Sequence, residues 1–89
     1  MNDLRRIAYE LVAETLDLDA ALRLAEDAAE KCTLALVAGQ PAAAPMPFSG
    51  HIAAAWGRLS DEQRAVVRRF NTSIAILAQQ EFETNRSTH

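Results

Sequence analysis

Apolar residues recur along the first 38 residues with the period of an α-helix. Small or apolar side chains recur at spacings of four and three residues, which is typical of a helix packed lengthwise on another. The positions are Leu4, Ala8, Leu11, Thr15, Leu18, Leu22, Ala25, Ala29, Cys32 and Leu36. No Gly or Pro interrupts this block, so the pattern predicts one long helix over residues 3–38. The alternative is a break at residues 16–19, where Asp17 and Asp19 can cap a new helix.

Proline and alanine dominate the next segment, residues 39–49. Gly39 followed by Pro41 is a helix stop, because glycine accepts the left-handed conformation and proline cannot continue the helix. The further prolines restrict their own φ and disfavour helix in the residue before them, which predicts an extended connector. Ser49 is a candidate cap for a short helix over about residues 50–57.

A second long helix is predicted after this short one. Ser60 and Gln63 have the spacing of a capping box, in which each side chain bonds the backbone of the other residue. An apolar stripe then extends the helix over about residues 61–83, and residues 84–89 form a polar tail. The stripe consists of Val66, Phe70, Ile74 and Leu77.

These elements define an all-α fold in a single domain over residues 1–89, with the two long helices packed antiparallel. A helix of 36 residues would extend roughly 54 Å, which is more than the rest of the chain can cover. Several large apolar residues also lie off its main stripe and give the helix a second apolar face. They are Tyr9, Val12, Leu16, Leu24 and Leu34. We therefore expect two chains to pair as a homodimeric helical bundle.

The composition supports helix and excludes a global positive field. The chain has 18 Ala against 3 Gly, which favours helix over sheet. Its net charge is -3, so it has no overall attraction to nucleic acid or anionic lipid. Eight of the nine basic residues are Arg, a usage typical of GC-rich bacterial genomes.

Cysteine use and the N-terminal residues indicate the cytoplasm. One cysteine, Cys32, cannot form an internal disulfide framework. The charged start, Met1 to Arg6, lacks the apolar core of a signal peptide. The apolar run 34–39 is far too short to span a bilayer, so we predict no membrane association.

Few residues in the chain have the chemistry of a catalytic or metal site. Cys32, His51 and His89 are the only thiol and imidazole groups, and Cys32 lies on the apolar stripe, where a thiol behaves as a small hydrophobic group. Carboxylates one turn apart, such as Glu10 and Glu14, have no Glu-x-x-His partner and are expected to face solvent. We predict no catalytic residues, no metal and no cofactor.

The surplus of apolar helix surface therefore predicts a non-enzymatic protein-interaction module, acting as a small regulator, inhibitor, adaptor or chaperone-like subunit. Aromatic residues contribute most to interface energetics, which makes Phe48 and Trp56 the candidate anchors. The candidate residues for a dimer or partner interface are Leu11, Leu18, Leu22, Leu24, Phe48, Trp56 and Phe70.

A group of arginines suggests an alternative function. The candidates for binding an anion or an acidic partner are Arg58, Arg64, Arg68 and Arg69. The six residues 59–64, Leu-Ser-Asp-Glu-Gln-Arg, resemble the opening of the DNA-binding region of sigma factors, which implies a helix-turn-helix. Asp61 and Glu62 at the start of that helix would repel phosphate. A nucleic-acid-binding regulator is the first alternative, and a small all-helical enzyme with a site across a dimer interface is the second.

Overall fold

The computed structural model describes residues 3–87, which form α-helices joined by short turns and no strand. The all-α class predicted from the sequence is confirmed. The helices are α1 (Leu4–Val12), α2 (Leu18–Leu24), α3 (Ala28–Val37), α4 (Ile52–Arg58), α5 (Asp61–Phe70) and α6 (Thr72–Ser87), with a single 3-10 turn at Pro41–Ala43.

The predicted single helix over residues 3–38 is wrong, because the chain breaks twice and forms α1, α2 and α3. The alternative break at 16–19 is confirmed for Asp17, which caps the new helix, but residues 18–19 already belong to α2. The carboxylate of Asp17 accepts a hydrogen bond from the backbone N–H of Ala20 at 2.8 Å. Asp27 caps α3 in the same way through the N–H of Glu30 at 2.9 Å. These caps satisfy helix donors that would otherwise be unpaired, so each Asp stabilises a new helix start.

The predicted helix over residues 61–83 is also interrupted, at Asn71, which separates α5 from α6. The capping box at the start of α5 is confirmed, since Ser60 and Gln63 exchange the two expected hydrogen bonds at 2.9 and 3.1 Å. The predicted polar tail is wrong for residues 84–87, which continue α6, and residues 88–89 lie outside the described part.

The connector between α3 and α4 is more structured than an extended segment. Ser49 does not cap α4, which begins two residues later than predicted, at Ile52 after His51. Its hydroxyl instead donates to the carbonyl oxygen of Ala42 at 2.7 Å and so ties the end of the connector to its 3-10 turn. This bond closes the connector on itself.

Helix α3 is the centre of the fold and contacts each of the other five α-helices. Seven of its ten residues are buried, from Ala29 through Cys32 to Val37. The chain measures 41 × 23 × 21 Å, too short for a helix of the predicted length. The predicted antiparallel pair of long helices is therefore replaced by short helices arranged around α3.

Helices α4 and α6 pack against each other beside α3. Gly57 allows this close approach, because a Cβ at its position would lie 2.9 Å from a ring carbon of Phe82. Trp56, the next residue toward the N-terminus, is fully buried between these elements. The glycine and the tryptophan together fix how α6 lies on α4.

Candidate interaction surface

The outward face of α1 carries apolar side chains where a helix on a protein surface usually carries polar ones. Ile7 and Ala8 are buried and attach α1 to the rest of the fold. On the opposite side Tyr9 is 64% exposed and Val12 is 50% exposed, and their spacing of three residues places them on one face. A groove lies on either side of these two residues.

The first groove, here called the acidic groove, lies beside the C-terminal end of α1 and has a volume of about 500 Å³. Its floor includes Val37, which is 3% exposed, and its edge carries the exposed carboxylates of Glu14 and Asp17. The lining residues are Leu11, Val12, Glu14, Leu16, Asp17, Leu18, Val37, Ala38, Gln40 and Phe70. The lining therefore combines apolar side chains with two acids and no basic residue.

The second groove, here called the basic groove, lies between α1 and α5 and has a volume of about 570 Å³. Its lining residues are Asp3, Arg5, Arg6, Tyr9, Ala65, Val66, Arg69 and Phe70. Arg5 lies 3.8 Å from Glu62 and Arg6 lies 3.7 Å from Glu10, but these side chains are largely exposed to solvent. Exposed ion pairs of this kind contribute little to stability, because water and salt screen them.

Phe70 joins the two grooves, because its side chain lines both. Tyr9, Val12, Phe70 and the two grooves together are called the α1 surface below. The surface has apolar side chains in the middle and negative charge beyond the end of α1. Toward the start of α1 the basic groove has three arginines and one acid, Asp3, in its lining. It arises because α1 packs on α5, α2 and α3 at once.

The structure places the seven predicted interface residues in different environments. Leu11, Leu18 and Phe70 line the acidic groove. Leu22 and Phe48 are partly buried against the core, and Leu24 is 49% exposed on α2. The interpretation of Trp56 as an interface anchor is wrong, since its side chain is completely buried within this chain.

Trp56 instead organises the contact between α4, α5 and α6. Its indole nitrogen donates to Oε1 of Gln79 on α6 at 2.8 Å. The guanidinium groups of Arg64 and Arg68 on α5 lie 5.3 and 5.4 Å from the centre of its ring, within the range of a cation–π interaction.

The four predicted arginines do not form one patch. Arg64 is held in the structure: its Nε donates to the carbonyl oxygen of Trp56 at 3.2 Å, and its guanidinium also lies 5.0 Å from the ring of Phe82. Arg69 lies apart from it and lines the basic groove, with its guanidinium 5.7 Å from the ring of Phe70. Arg58 is exposed in the last turn of α4.

The thiol of Cys32 is buried, and its surroundings make it unreactive. Burial raises the pKa of this thiol above its ordinary value, and the positive charge of Arg58 lowers that pKa to a smaller extent. A protonated, inaccessible thiol is a poor nucleophile and a poor metal ligand. Within residues 3–87 no group of three or more His, Cys, Asp or Glu side chains is arranged to hold a metal ion.

Sequence reasoning missed the charges that flank the α1 surface. The sequence pattern already places Tyr9 and Val12 off the main stripe, but it assigns no role to Arg5, Arg6 or Glu14. The available signal was their order: Arg5 and Arg6, then residues 7–13, which are apolar except for Glu10, then the acids Glu14 and Asp17. None of the helices in the described part has both the length and the apolar character that crossing a membrane requires.

The α1 surface is thus the feature of this chain with the clearest capacity for binding. It combines exposed apolar side chains with two grooves of opposite charge. Comparison of the chain with protein-family models, with curated proteins and with solved structures gives no match.

Proposed function

We propose that this chain is a non-enzymatic protein-interaction module that binds its partner through the α1 surface. The observation that carries the proposal is the exposure of Tyr9 and Val12 on one face of α1, between two grooves. Exposed apolar side chains surrounded by polar ones are typical of protein interfaces, and Tyr is enriched there. The module acts as a small regulator, inhibitor, adaptor or chaperone-like subunit.

The alternative of nucleic-acid binding has less support. It requires all four candidate arginines, Arg58, Arg64, Arg68 and Arg69, to face the phosphates together. Arg64 instead donates a hydrogen bond to the carbonyl oxygen of Trp56 and lies over the ring of Phe82. Arg69 lines the basic groove. Its test is a gel shift with duplex DNA, in which affinity would fall steeply with salt. The second alternative, an enzyme with a site across a dimer interface, stays a prediction.

The predicted homodimer and the predicted cytoplasmic location belong to the same proposal. Residues 4–37 form three short helices and not one long one, so a dimer needs a surface other than the face of a long helix. A free thiol at Cys32 fits a reducing compartment such as the cytoplasm, where disulfides are rare.

The test is photo-crosslinking from the α1 surface. p-Benzoylphenylalanine is placed at Val12 in one variant and at Leu77 in a matched control. Leu77 is also an exposed apolar residue, at 44%, but it lies on α6, whereas α1 packs mainly on α5, α2 and α3. After irradiation of cells that express each variant, we expect a covalent protein adduct from position 12 and not from position 77. The absence of any protein adduct from position 12, or the same adducts from both positions, would contradict the proposal.

A further inference from the structure

We propose that the partner of the α1 surface is a second copy of this chain, docked so that the two α1 helices lie antiparallel across a two-fold axis. This inference rests on the proposed function, because it names the occupant of the same surface. It concerns residues that the sequence pattern did not connect: Arg5 at one end of α1, Glu14 at the other, and Tyr9 between them.

The order of charge along α1 complements that of a second copy turned by 180°. Arg5 and Arg6 lie in the first turn of α1, and Glu14 and Asp17 follow its last turn. An antiparallel arrangement with its axis between Tyr9 and Val12 places the arginines of one copy opposite residues 14–17 of the other. The two-fold axis repeats this contact, so both ends of the interface are attractive.

The apolar middle of the α1 surface also fits a second copy. With the axis in this position, Tyr9 of one copy lies opposite Val12 of the other, at the edge of the acidic groove. That groove has a volume of about 500 Å³ and apolar walls that include Leu11 and Phe70. A tyrosine ring can therefore insert on each side of the axis, with its hydroxyl directed to the polar edge.

The charge pattern favours this occupant over a partner of one sign. A uniformly basic partner is attracted to Glu14 and Asp17 but meets a groove whose lining has three arginines and one acid, Asp3, and an acidic partner meets the reverse. Arg5 and Arg6 already have exposed carboxylate partners in Glu62 and Glu10, so the net positive charge at this groove is small. A parallel pair would place like charges together. A partner with the opposite order of charge fits both grooves, and a second copy turned by 180° has that order.

The expected affinity is modest. Standard stable interfaces bury about 800 Å² on each partner, and the α1 surface consists of one short helix with the edges of two grooves. We therefore expect a dissociation constant in the micromolar range, measured by sedimentation equilibrium at low ionic strength, and weaker association as salt is added.

The decisive experiment uses two charge-reversed variants, Arg5→Glu and Glu14→Arg. Each variant alone places like charges opposite each other at both symmetry-related contacts, so its self-association should weaken about ten-fold. An equimolar mixture of the two variants restores complementary charges at both ends. We expect the dissociation constant of the mixture to lie within about three-fold of the wild-type value. The margin allows for a difference in energy between the original and the reversed Arg–Glu contacts.

Matched controls separate docking from folding. Val12→Asn on the α1 surface should abolish association, whereas Ile76→Asn should leave it unchanged, because Ile76 is similarly exposed at 55% but lies on α6. Circular dichroism of every variant reports whether the fold is retained. Arg5→Glu should retain the fold, because it places an acid in the first turn of a helix, where negative charge is favourable.

Three results would overturn the inference: a wild-type chain of 9.7 kDa that stays monomeric at 100 µM and low salt, single variants that associate as the wild type does, or a mixture that does not recover the wild-type affinity.

The crosslink from position 12 distinguishes failure of this inference from failure of the proposed function. An adduct of twice the chain mass supports the second copy. An adduct of another protein only overturns the second copy and leaves the interaction module standing, and no adduct overturns both.

Discussion

The side-chain nitrogen of Asn71 lies 3.1 Å from the carbonyl oxygen of Val37, and it donates a hydrogen bond across 34 residues of sequence. The same nitrogen lies 3.3 Å from the carbonyl oxygen of Leu36. The side-chain oxygen of Asn71 accepts from the N–H of Ile74 at 3.2 Å and so caps α6. One amide therefore bonds backbone groups both at the carbonyl end of α3 and at the start of α6. The carbonyl oxygen of Leu36 also accepts from the N–H of Gly39 at 3.0 Å.

The first prediction concerns this amide. Asn71→Asp keeps an acceptor for α6 but removes the donor, and it places negative charge beside the carbonyl end of α3. We expect the free energy of unfolding to fall by about 1–3 kcal/mol, measured by urea denaturation at neutral pH. At a pH below the ordinary pKa of Asp the variant should recover part of the loss, because its carboxyl group is then a neutral donor. A variant as stable as the wild type at neutral pH would show that the bonds to α3 contribute nothing.

The second prediction compares two helix ends with the same hydrogen bonds and different residues. After α1 the N–H of Thr15 bonds the carbonyl of Glu10 at 3.0 Å, and after α3 the N–H of Gln40 bonds the carbonyl of Ala35 at 2.9 Å. In both turns the preceding residue is left-handed, with φ 63° at Glu14 and 70° at Gly39. This is the conformation that glycine adopts without strain and other residues adopt at a cost.

Glu14→Gly should therefore stabilise the chain by about 1 kcal/mol, and Gly39→Ala should destabilise it by at least that amount. A Cβ at Gly39 also lies 3.3 Å from Nδ2 of Asn71, which adds a close contact. Thermal melts of the two variants provide the measurement. Changes of the same sign in both variants would contradict this explanation of the two turns.

The third prediction concerns the indole of Trp56. Gln79→Leu removes the acceptor of its N–H and leaves a buried donor unpaired, so we expect a loss of about 1–3 kcal/mol. Trp56 is the only tryptophan, so its fluorescence follows unfolding in denaturant directly. Gln80→Leu is the matched control, since residue 80 is exposed, and its effect should stay within about 0.5 kcal/mol. Equal effects of the two changes would exclude a specific role for the bond.

The fourth prediction follows from the raised pKa of Cys32. The folded chain holds the thiol protonated at pH values where the unfolded chain, with an ordinary thiol pKa of 9.0, loses the proton. Proton release from the unfolded state alone favours unfolding, so stability should fall as the pH rises through and above 9.0.

The comparison for this effect is Cys32→Ala, which removes the titrating group. The stability difference between the wild type and Cys32→Ala should be constant from pH 6 to 8 and should shrink toward pH 10. Urea denaturation across this pH range measures it. A difference that stays constant to pH 10 would show that the buried thiol does not contribute to alkaline destabilisation.

Local signals in the sequence predicted part of the fold correctly. The capping box at Ser60 lies within four residues, so its geometry depends on local backbone alone. The breaks at Asp27 and Asn71 were missed because the apolar spacing continues through them, and a periodic pattern does not report where the chain turns. Both residues have short polar side chains that compete with helix hydrogen bonds, and this was the signal available.

The candidate surface was predictable only in its apolar part. Tyr9 and Val12 stand out from spacing along one helix. The grooves beside them form only when α1 packs on α5 and on the ends of α2 and α3, and these pairings depend on the whole fold. Trp56 was misinterpreted for the same reason, because its burial depends on α6, which lies more than a dozen residues further along the chain.

The central position of α3 makes the two halves of the chain interdependent. Helices α1 and α2 precede it, α4, α5 and α6 follow it, and it contacts all five. A chain cut in the connector after Gly39 would leave each fragment with apolar surface that only the other can cover. The protein should therefore fold and unfold as one cooperative unit, and the two fragments should regain helical structure only when they are mixed.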